Sequence, residues 1–467
     1  MTRLTLLLLA AGLLSACSLA PLYVQPAAPV AATFVGDADG SAIAADTGWR
    51  TFFPDQRLQA LITAALIDNR DLRTAALRIE EARALYNVQS ADLLPNINGT
   101  ASGARARVPG SLSMTGQPTT GGTYQIGFGL ASFELDFFGR VRSLNDAALA
   151  QYLATSEARL SVQISLVSEV AKAYLAERGY DEQLTLARQT LEGRLQAYQL
   201  AQQRYDVGAS SELDLRLSET LVQTARVSQL TLQRQRAQAS NALTLLVGRA
   251  TTDLPPATLL SEENITTRIA AGLPSDLMMR RPDIRAAEQR LKSANANIGA
   301  ARAAFFPRIS LTAAAGSSSN ALSGLFDAGS GSWSFAPQLV LPIFDAGRNR
   351  SNLTLAQVRT DLAVVDYEKV IQIAFREVSD ALVARGLLDE QVGAQQAVVS
   401  AQTVRLTLAQ QRFDNGIASA LDVVDAQREL FIAQQGLVQI RQLRLTNAVD
   451  LYRSLGGGLT ETTGQPG

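Results

Sequence analysis

One cysteine stands where lipid chemistry would modify it. Cys17 is the only cysteine among 467 residues, and it follows Leu14-Ser15-Ala16, the pattern of small residues that precedes an acylated cysteine. Arg3 and the apolar run from Leu4 to Leu14 are typical of a secretory signal, and the run is too short to cross a bilayer as a helix. The sequence therefore predicts a signal peptide over residues 1–16 and a thioether-linked lipid on Cys17. An ordinary signal peptide with an incidental cysteine is the alternative.

The residue after the cysteine bears on the destination of the chain. The residue after Cys17 is Ser18 and not an aspartate. The similarity to bacterial lipoproteins implies that a chain with this residue is sorted onward to the outer membrane. A diacylglycerol group together with an N-acyl chain supplies enough buried hydrocarbon for stable anchoring. We expect no cofactor beyond this covalent lipid.

Composition excludes several kinds of chemistry. The chain has no histidine and no second cysteine, which excludes a histidine-based triad, a histidine-ligated zinc site and a disulfide within one chain. It has no glycine-rich phosphate loop with lysine, so it is not expected to energise transport itself. Its formal net charge of −1 argues against nucleic-acid binding. Aspartate and glutamate chemistry stays open, but we predict a protein that is not an enzyme.

A sequence motif occurs twice, about 210 residues apart. The segment from Arg204 to Gly208 is followed by Ser211, Leu213 and Asp214, and the segment from Arg412 to Gly416 is followed by Ser419, Leu421 and Asp422 at the same spacing. Such self-similarity indicates two matching halves. We divide the chain into a signal peptide (1–16), a lipid-anchored segment (17–53), a first repeat (54–247), a linker (248–273), a second repeat (274–455) and a tail (456–467).

Each repeat is predicted to end in a long helical hairpin. Proline is absent from Thr119 to Leu254 and from Ile343 to Gln465, and both stretches are rich in good helix formers. A helix from Arg140 to Arg204 would be roughly 100 Å long at 1.5 Å per residue. Apolar residues at coiled-coil spacing mark two seams, Leu160, Ile164, Val167, Ala171 and Tyr174 in the first and Leu421, Val424, Phe431, Val438 and Leu445 in the second.

The hairpins turn at two glycines. Gly208 and Gly416 accept the left-handed backbone that stops a helix, and Ser210 or Ser211 and Ser419 can cap the helices that follow. We call the regions around these glycines the first and second hairpin tips.

Four short segments alternate between apolar and polar residues, as strands of an outer-membrane barrel do. They are 96–101, 124–130, 308–313 and 333–341, and the stretches 107–122 and 317–331 have the composition of surface loops. Four strands cannot close a barrel, and an open edge in lipid would leave unpaired amides, so three chains would have to pool twelve strands. Edge strands of a soluble sheet are the alternative.

Five segments together resemble the TolC-like outer-membrane efflux proteins, in the lipoprotein branch described as NodT-type. The similarity extends over essentially the whole mature chain and is carried by 21–26 (PLYVQP), 133–140 (FELDFFGR), 274–277 (PSDL), 280–285 (RRPDIR) and 421–428 (LDVVDAQR).

The resemblance implies an α+β membrane channel. In this family three chains form a twelve-stranded outer-membrane β-barrel, continued by a twelve-helix periplasmic α-barrel with an equatorial region around it. By position, the equatorial material would be Ala20 to Phe53, Gly248 to Leu273 and the tail after Leu455. The implied function is passive export of drugs, other toxic solutes or metal ions. The implied partners are two further copies, outer-membrane lipid, a periplasmic adaptor and an inner-membrane pump of the resistance-nodulation-division type.

The resemblance also implies a gate at the second hairpin tip. The family's closed end matches Leu421, Asp425 and Arg428, with Asp422 beside them and Phe413 where a tyrosine is common. Leu217 stands at the position equivalent to Asp425, so only the second tip would carry the charged ring. The adaptor would dock on the tips, at Gly208, Ser211, Leu213, Asp214, Gly416 and Ser419.

Simpler interpretations stay open for several of these residues. Asp425 and Arg428 also have the spacing of an ordinary surface pair three residues apart on a helix. Glu134, Asp136 and the cluster from Arg280 to Arg285 are expected to be structural. A structural coiled-coil outer-membrane lipoprotein without channel activity would share the long helices but would not need the alternating segments.

Overall fold

Long helices and one small sheet make up the regular structure. The computed structural model describes residues 18–34, 46–114, 116–250, 252, 254–260, 265–266 and 274–463. Cys17, the predicted lipid attachment site, lies outside this range. The described elements, in chain order, are α1 (Trp49–Phe52), α2 (Gln56–Asp68), α3 (Arg70–Ala91), β1 (Ile97–Val108), β2 (Thr119–Leu135), α4 (Arg140–Asp206), α5 (Glu212–Val247), α6 (Pro274–Arg280), α7 (Pro282–Ala303), β3 (Arg308–Ser319), β4 (Gly331–Val340), α8 (Arg348–Asp414) and α9 (Ala420–Ser454).

The predicted helical hairpins are confirmed. Helices α4 and α8 each run for 67 residues without interruption, and α5 and α9 follow them after short turns. None of the described helices is long and apolar enough to cross a membrane. The chain forms two compact units, one of residues 1–27, 78–156 and 286–368, the other of residues 28–77, 157–285 and 369–467.

The first unit contains the sheet. Its strands lie in the order β1-β2-β3-β4, and every neighbouring pair is antiparallel. A bulge interrupts β2 between Leu130 and Phe133, where Ser132 adopts a left-handed φ of 53°. Bulges of this kind bend a strand and increase its twist.

The strands are longer than the sequence predicted. β1 extends to Val108, β2 begins at Thr119 and β3 extends to Ser319, so the connections shrink to residues 109–118 and 320–330. The predicted loops 107–122 and 317–331 were therefore too wide. The composition around Gly121 and Gly122 predicts a turn, yet these two residues pair in register with Ala106 and Arg105 of β1.

Ion pairs support the end of the sheet where the helices begin. Glu134 accepts two hydrogen bonds from Arg140, at 2.8 and 2.7 Å, and its Oε2 lies 2.6 Å from Nε of Arg308. These hydrogen bonds and the charge of Glu134 raise the pKa of Arg140. Arg142 lies in the first turn of α4, and its backbone N–H donates a hydrogen bond to Asp136 at 2.8 Å. Glu134 and Asp136 thus have the structural role that the sequence predicted.

In the second unit, one predicted seam is confirmed at four of its five positions and the other is partly wrong. Ile164, Val167, Ala171 and Tyr174 of α4 are buried, and Leu160 is half-buried. On α9, Val438 and Leu445 are buried as predicted, but Leu421 is 58% exposed. Nearer the turn, the buried residues of α9 lie at other positions than predicted. They are Val423, Ala426, Ala433 and Leu437. The predicted Phe431 instead packs on a cluster formed by Leu184, Ala187 and Leu232 of the first hairpin.

A buried arginine joins three helices of the second unit. Arg281 makes a bidentate contact with Asp283, and its Nη1 donates to Glu377 and to the carbonyl of Ser454, both at 2.9 Å. Burial acts to lower the pKa of Arg281, but the hydrogen bonds and charges of Asp283 and Glu377 outweigh it, so the pKa is raised. The contacts fasten the start of α7 to α8 and to the end of α9. The cluster from Arg280 to Arg285 is structural here, as predicted.

Candidate functional site

The two hairpin tips share one backbone design. Gly208 and Gly416 have left-handed φ angles of 74° and 73°. In each tip the glycine N–H donates to the carbonyl three residues back, at 2.9 Å, and the next N–H donates to the carbonyl five residues back, at 2.7 Å in the first tip and 2.8 Å in the second. This pair of bonds satisfies carbonyls that a helix end would otherwise leave unpaired. The predicted left-handed turns at both glycines are confirmed.

Each returning helix begins with the same reciprocal cap. The backbone N–H of Asp214 donates to Ser211 Oγ at 3.2 Å, and Asp214 Oδ2 accepts from the Ser211 N–H at 3.3 Å. Ser419 and Asp422 repeat this arrangement at 3.4 and 2.9 Å. Hydrogen bonds from the Ser419 side chain and backbone lower the pKa of Asp422, with smaller effects from Arg412 and Arg405. Asp422, predicted beside the gate, thus stabilises the start of α9.

The second tip carries an ion cluster centred on Asp425. Its Oδ2 lies 2.6 Å from Nη2 of Arg405, and its Oδ1 lies 2.5 Å from Nη2 of Arg428. Arg428 also contacts Glu429 at 3.1 Å. Because Arg405 is on α8 and Asp425 is on α9, the cluster links the two helices of the hairpin. The surface pair considered as the simpler interpretation is therefore present within one chain, as part of a larger cluster.

Arg405 is a residue that the sequence analysis missed. Residues equally far before and after the turn face each other in an antiparallel hairpin, and Arg405 and Asp425 lie equally far from Asn415. Counting outward from the turn could have found the pair.

Among the described residues, the first tip has no equivalent cluster. Leu217 stands at the position matching Asp425, as noted from the sequence. Arg216, one residue earlier, pairs with Glu212 at 3.4 Å and with Glu219 at 2.9 Å, all on α5. These pairs follow one helix and do not join it to α4. The two tips thus have the same backbone and different charges.

Phe413 contacts the first hairpin. The guanidinium carbon of Arg204 lies 6.0 Å from the centre of the Phe413 ring, at the outer limit of a cation–π contact. This places the last turn of α8 beside the last turn of α4. Phe413 was predicted to belong with the gate residues of α9, but its ring lies beside Arg204 of α4.

Apolar side chains project from both tips. Leu213 is 77% exposed and Leu421 is 58% exposed, and two residues not singled out from the sequence, Val207 and Ile417, are 78% and 69% exposed. We call these four residues the apolar tip patch. Within the described residues, no group of three histidine, cysteine, aspartate or glutamate side chains could hold a metal ion.

Comparison with known proteins finds similarity along nearly the whole chain. A family model described as outer membrane efflux protein matches residues 61–249 and 273–457, one stretch in each half. The solvent efflux pump outer membrane protein SrpC of Pseudomonas putida is 48% identical over 454 residues, which is 96% of each chain. Outer membrane protein OprJ of Pseudomonas aeruginosa is 48% identical over 459 residues, covering 97% of this chain and 95% of OprJ. The crystal structure of the open state of the MtrE outer membrane channel of Neisseria gonorrhoeae matches with a TM-score of 0.89 at 40% identity, over 96% of this chain and 100% of MtrE.

Proposed function

Because this chain belongs to the outer membrane efflux protein family, we propose that it is the passive outer-membrane duct of a tripartite efflux system. It is an outer-membrane efflux component with the fold of the efflux channels. The observation that carries the proposal is the match of the family model to both halves, each of which supplies two strands and one long hairpin.

The sheet supports assembly from three copies. β1 and β4 are its outer strands, and each has one edge without a neighbour in the described chain. One face of the sheet is apolar, as a lipid-facing surface must be. In lipid, unpaired strand edges cost several kcal/mol for each unsatisfied group, so closure by further copies is required. Three chains give the twelve strands of a closed barrel.

The second tip is the proposed gate. Asp425 links α9 to α8 through Arg405, and three copies would place three such clusters around one axis. Leu421 adds an exposed apolar side chain at the same end. The proposed gate is closed while α9 is held by these contacts and opens when they release.

The apolar tip patch is the proposed docking surface for a periplasmic adaptor, which would connect the duct to an inner-membrane pump of the resistance-nodulation-division type. Four exposed apolar side chains beside two bare glycine turns offer a surface that a partner can cover closely. SrpC is named for solvent efflux, and we extend this to organic solutes as the cargo of this chain.

Gly416→Trp tests this docking. A Cβ at Gly416 meets no atom within 4 Å in the chain, so the substitution costs only the left-handed backbone, on the order of 1–2 kcal/mol. Adaptor crosslinking and organic-solvent tolerance should fall several-fold while trimers persist, because the indole blocks close approach. Gly416→Asn, which tolerates the left-handed turn, and Gly393→Trp, at an open position of α8, are the controls. Unchanged crosslinking and tolerance in Gly416→Trp would refute the docking site.

The lipid on Cys17 is tested by Cys17→Ser. The chain has no other thiol, so acylation should be abolished and labelled palmitate should not enter the protein. The sheet should still hold the protein in the membrane, and part of the efflux activity should therefore remain. Palmitate incorporation at the wild-type level would contradict acylation at this position.

A further inference from the structure

Two arginines lie near the end of β1 that is remote from the helices. Arg105 and Arg107 are two residues apart, so they share one face of the sheet. Gly103 lies on the same face, because a Cβ built there would stand 3.0 Å from the ring of Tyr124. A Cβ at Gly99 would likewise stand 3.8 Å from the ring of Phe128. Both arginines therefore project from the same face as Tyr124 and Phe128.

That face is apolar along most of its length. Strand register places on it Ile126, Leu130, Ile309, Leu311, Trp333, Phe335 and Leu339. The opposite face carries Asn98, Thr100, Ser102, Gln125, Ser310, Thr312, Ser334 and Gln338. Under the proposed function, on which this inference rests, the apolar face meets lipid and the polar face lines the water-filled interior.

The apolar band ends just before the two arginines. About eleven residue steps separate Leu135 from Tyr124 on β2, roughly 36 Å along a strand or about 28 Å along the membrane normal at a tilt of about 40°. This is close to the height of a barrel's apolar band, about 25 Å. Gly103 pairs with Tyr124, and Arg105 pairs with Gly122, the next outward-facing position. The guanidinium groups thus reach the headgroups of the outer leaflet.

Neither arginine has an acidic partner. Glu134 is the only acidic residue of the four strands, and it lies at the opposite end with Arg140 and Arg308. Among the described residues, no side-chain hydrogen bond or ion pair involves Arg105 or Arg107, and both are exposed. Their cross-strand neighbours, Gly122 and Thr120, are small and leave the guanidinium groups uncovered. Two adjacent unpaired cations at headgroup depth are suited to an anionic group from outside the chain.

We propose that Arg105 and Arg107 form a binding site for phosphate groups of the outer-leaflet glycolipid, one site on each chain. Guanidinium groups bind phosphate oxygens in bidentate geometry, and a weakly hydrated guanidinium pairs readily at an interface. Tyr124, at the border of the apolar band, has the amphipathic ring that favours the same depth. The glycolipid is favoured over free phosphate because the apolar band beside the arginines can contact its acyl chains.

The test compares matched variants of the full-length purified trimer. Binding of bisphosphorylated lipid A and of its fully dephosphorylated form would be measured by native mass spectrometry. The double variant Arg105→Gln/Arg107→Gln should bind the bisphosphorylated lipid about thirty-fold more weakly, from about 1 kcal/mol for each basic residue near an anionic membrane surface. Arg105→Lys/Arg107→Lys should retain most of the affinity. Arg216→Gln/Arg376→Gln removes the same charge from exposed helical positions and should bind like wild type.

Three results would overturn the lipid site. One is equal affinity of the glutamine variant and wild type, and another is equal binding of the two lipid forms by wild type. The third is complete displacement of the lipid by millimolar inorganic phosphate, which would indicate an ion site. If the glutamine variant fails to assemble, two comparisons still test the site. Wild type should bind the bisphosphorylated lipid more tightly than the dephosphorylated form, and the lysine variant should show the same preference.

A second measurement checks which way the arginines face. In planar bilayers under a salt gradient, the reversal potential of the glutamine variant should equal that of wild type, because the arginines lie outside the conducting path. A shifted reversal potential would place them in the lumen and refute the inference. Failure of both wild type and Asp425→Ala to conduct would refute the duct itself, whereas conducting protein without phosphate-dependent lipid binding would refute only this site.

Discussion

Channels carrying Asp425→Ala should be open for a much larger fraction of the time than wild-type channels. The substitution removes the contacts of Asp425 with both Arg405 and Arg428, so α9 loses its charged link to α8. An exposed ion pair contributes ~0.2–1 kcal/mol. Only the contact with Arg405 joins α9 to α8, so three chains lose three linking pairs, about 0.6–3 kcal/mol in total. Because about 1.4 kcal/mol corresponds to tenfold in an equilibrium, open probability should rise by roughly threefold to a hundredfold.

Single-channel recording and uptake of a large antibiotic by cells measure this effect. Glu219→Ala is the matched control, because it removes an exposed partner of Arg216 from the first hairpin without touching a link between helices. Its open probability should equal that of wild type. If intact Asp425→Ala trimers open no more often than Glu219→Ala trimers, closure does not depend on the charged cluster, and the apolar Leu421 becomes the candidate constriction.

Arg281→Ala should lower the free energy of unfolding by about 3–5 kcal/mol, the typical cost of removing one partner from a buried ion pair. Only 8% of the Arg281 side chain is exposed, and its loss removes the cation beside Asp283 and the donor to the carbonyl of Ser454, while Glu377 keeps its contact with Arg453 at 3.3 Å. The start of α7, the middle of α8 and the end of α9 would lose a shared contact at once.

The neighbouring Arg280 provides the control. Its side chain is 31% exposed and pairs with Asp46, which is 61% exposed, so Arg280→Ala should cost at most about 1 kcal/mol. Apparent melting temperatures of the two detergent-solubilised variants measure the difference. Equal melting temperatures would mean that Arg281 does not hold the three helices together.

The sequence predicted the elements that have strong local signals. The proline-free stretches gave the two long helices, since helix formers and apolar spacing act together over many residues. Gly208 and Gly416 were predictable because few other residues accept a left-handed turn. Strand ends were missed because Gly121, Gly122 and Ser317 have the composition of turns, and only pairing with the next strand makes them sheet residues.

The charged contacts were harder to predict because their partners are distant in sequence. Asp425 was selected from the sequence, but its partner Arg405 is on the other helix of the hairpin. Asp55 is a second case. It caps α2 and also accepts hydrogen bonds from Tyr174 at 2.9 Å and Thr258 at 2.7 Å, residues that lie far along the chain. Neither contact has a local sequence pattern. The gate and docking roles of the tip residues stay predictions.

Conductance of the purified protein in planar bilayers tests the duct most directly. We expect discrete conductance steps from trimeric protein without adaptor or pump. The steps should be rare in wild type and frequent in Asp425→Ala, because the passage is built into the protein and closed by contacts at the second tip. Membrane-inserted trimers of wild type and of Asp425→Ala that both show no steps above the bare bilayer would contradict it.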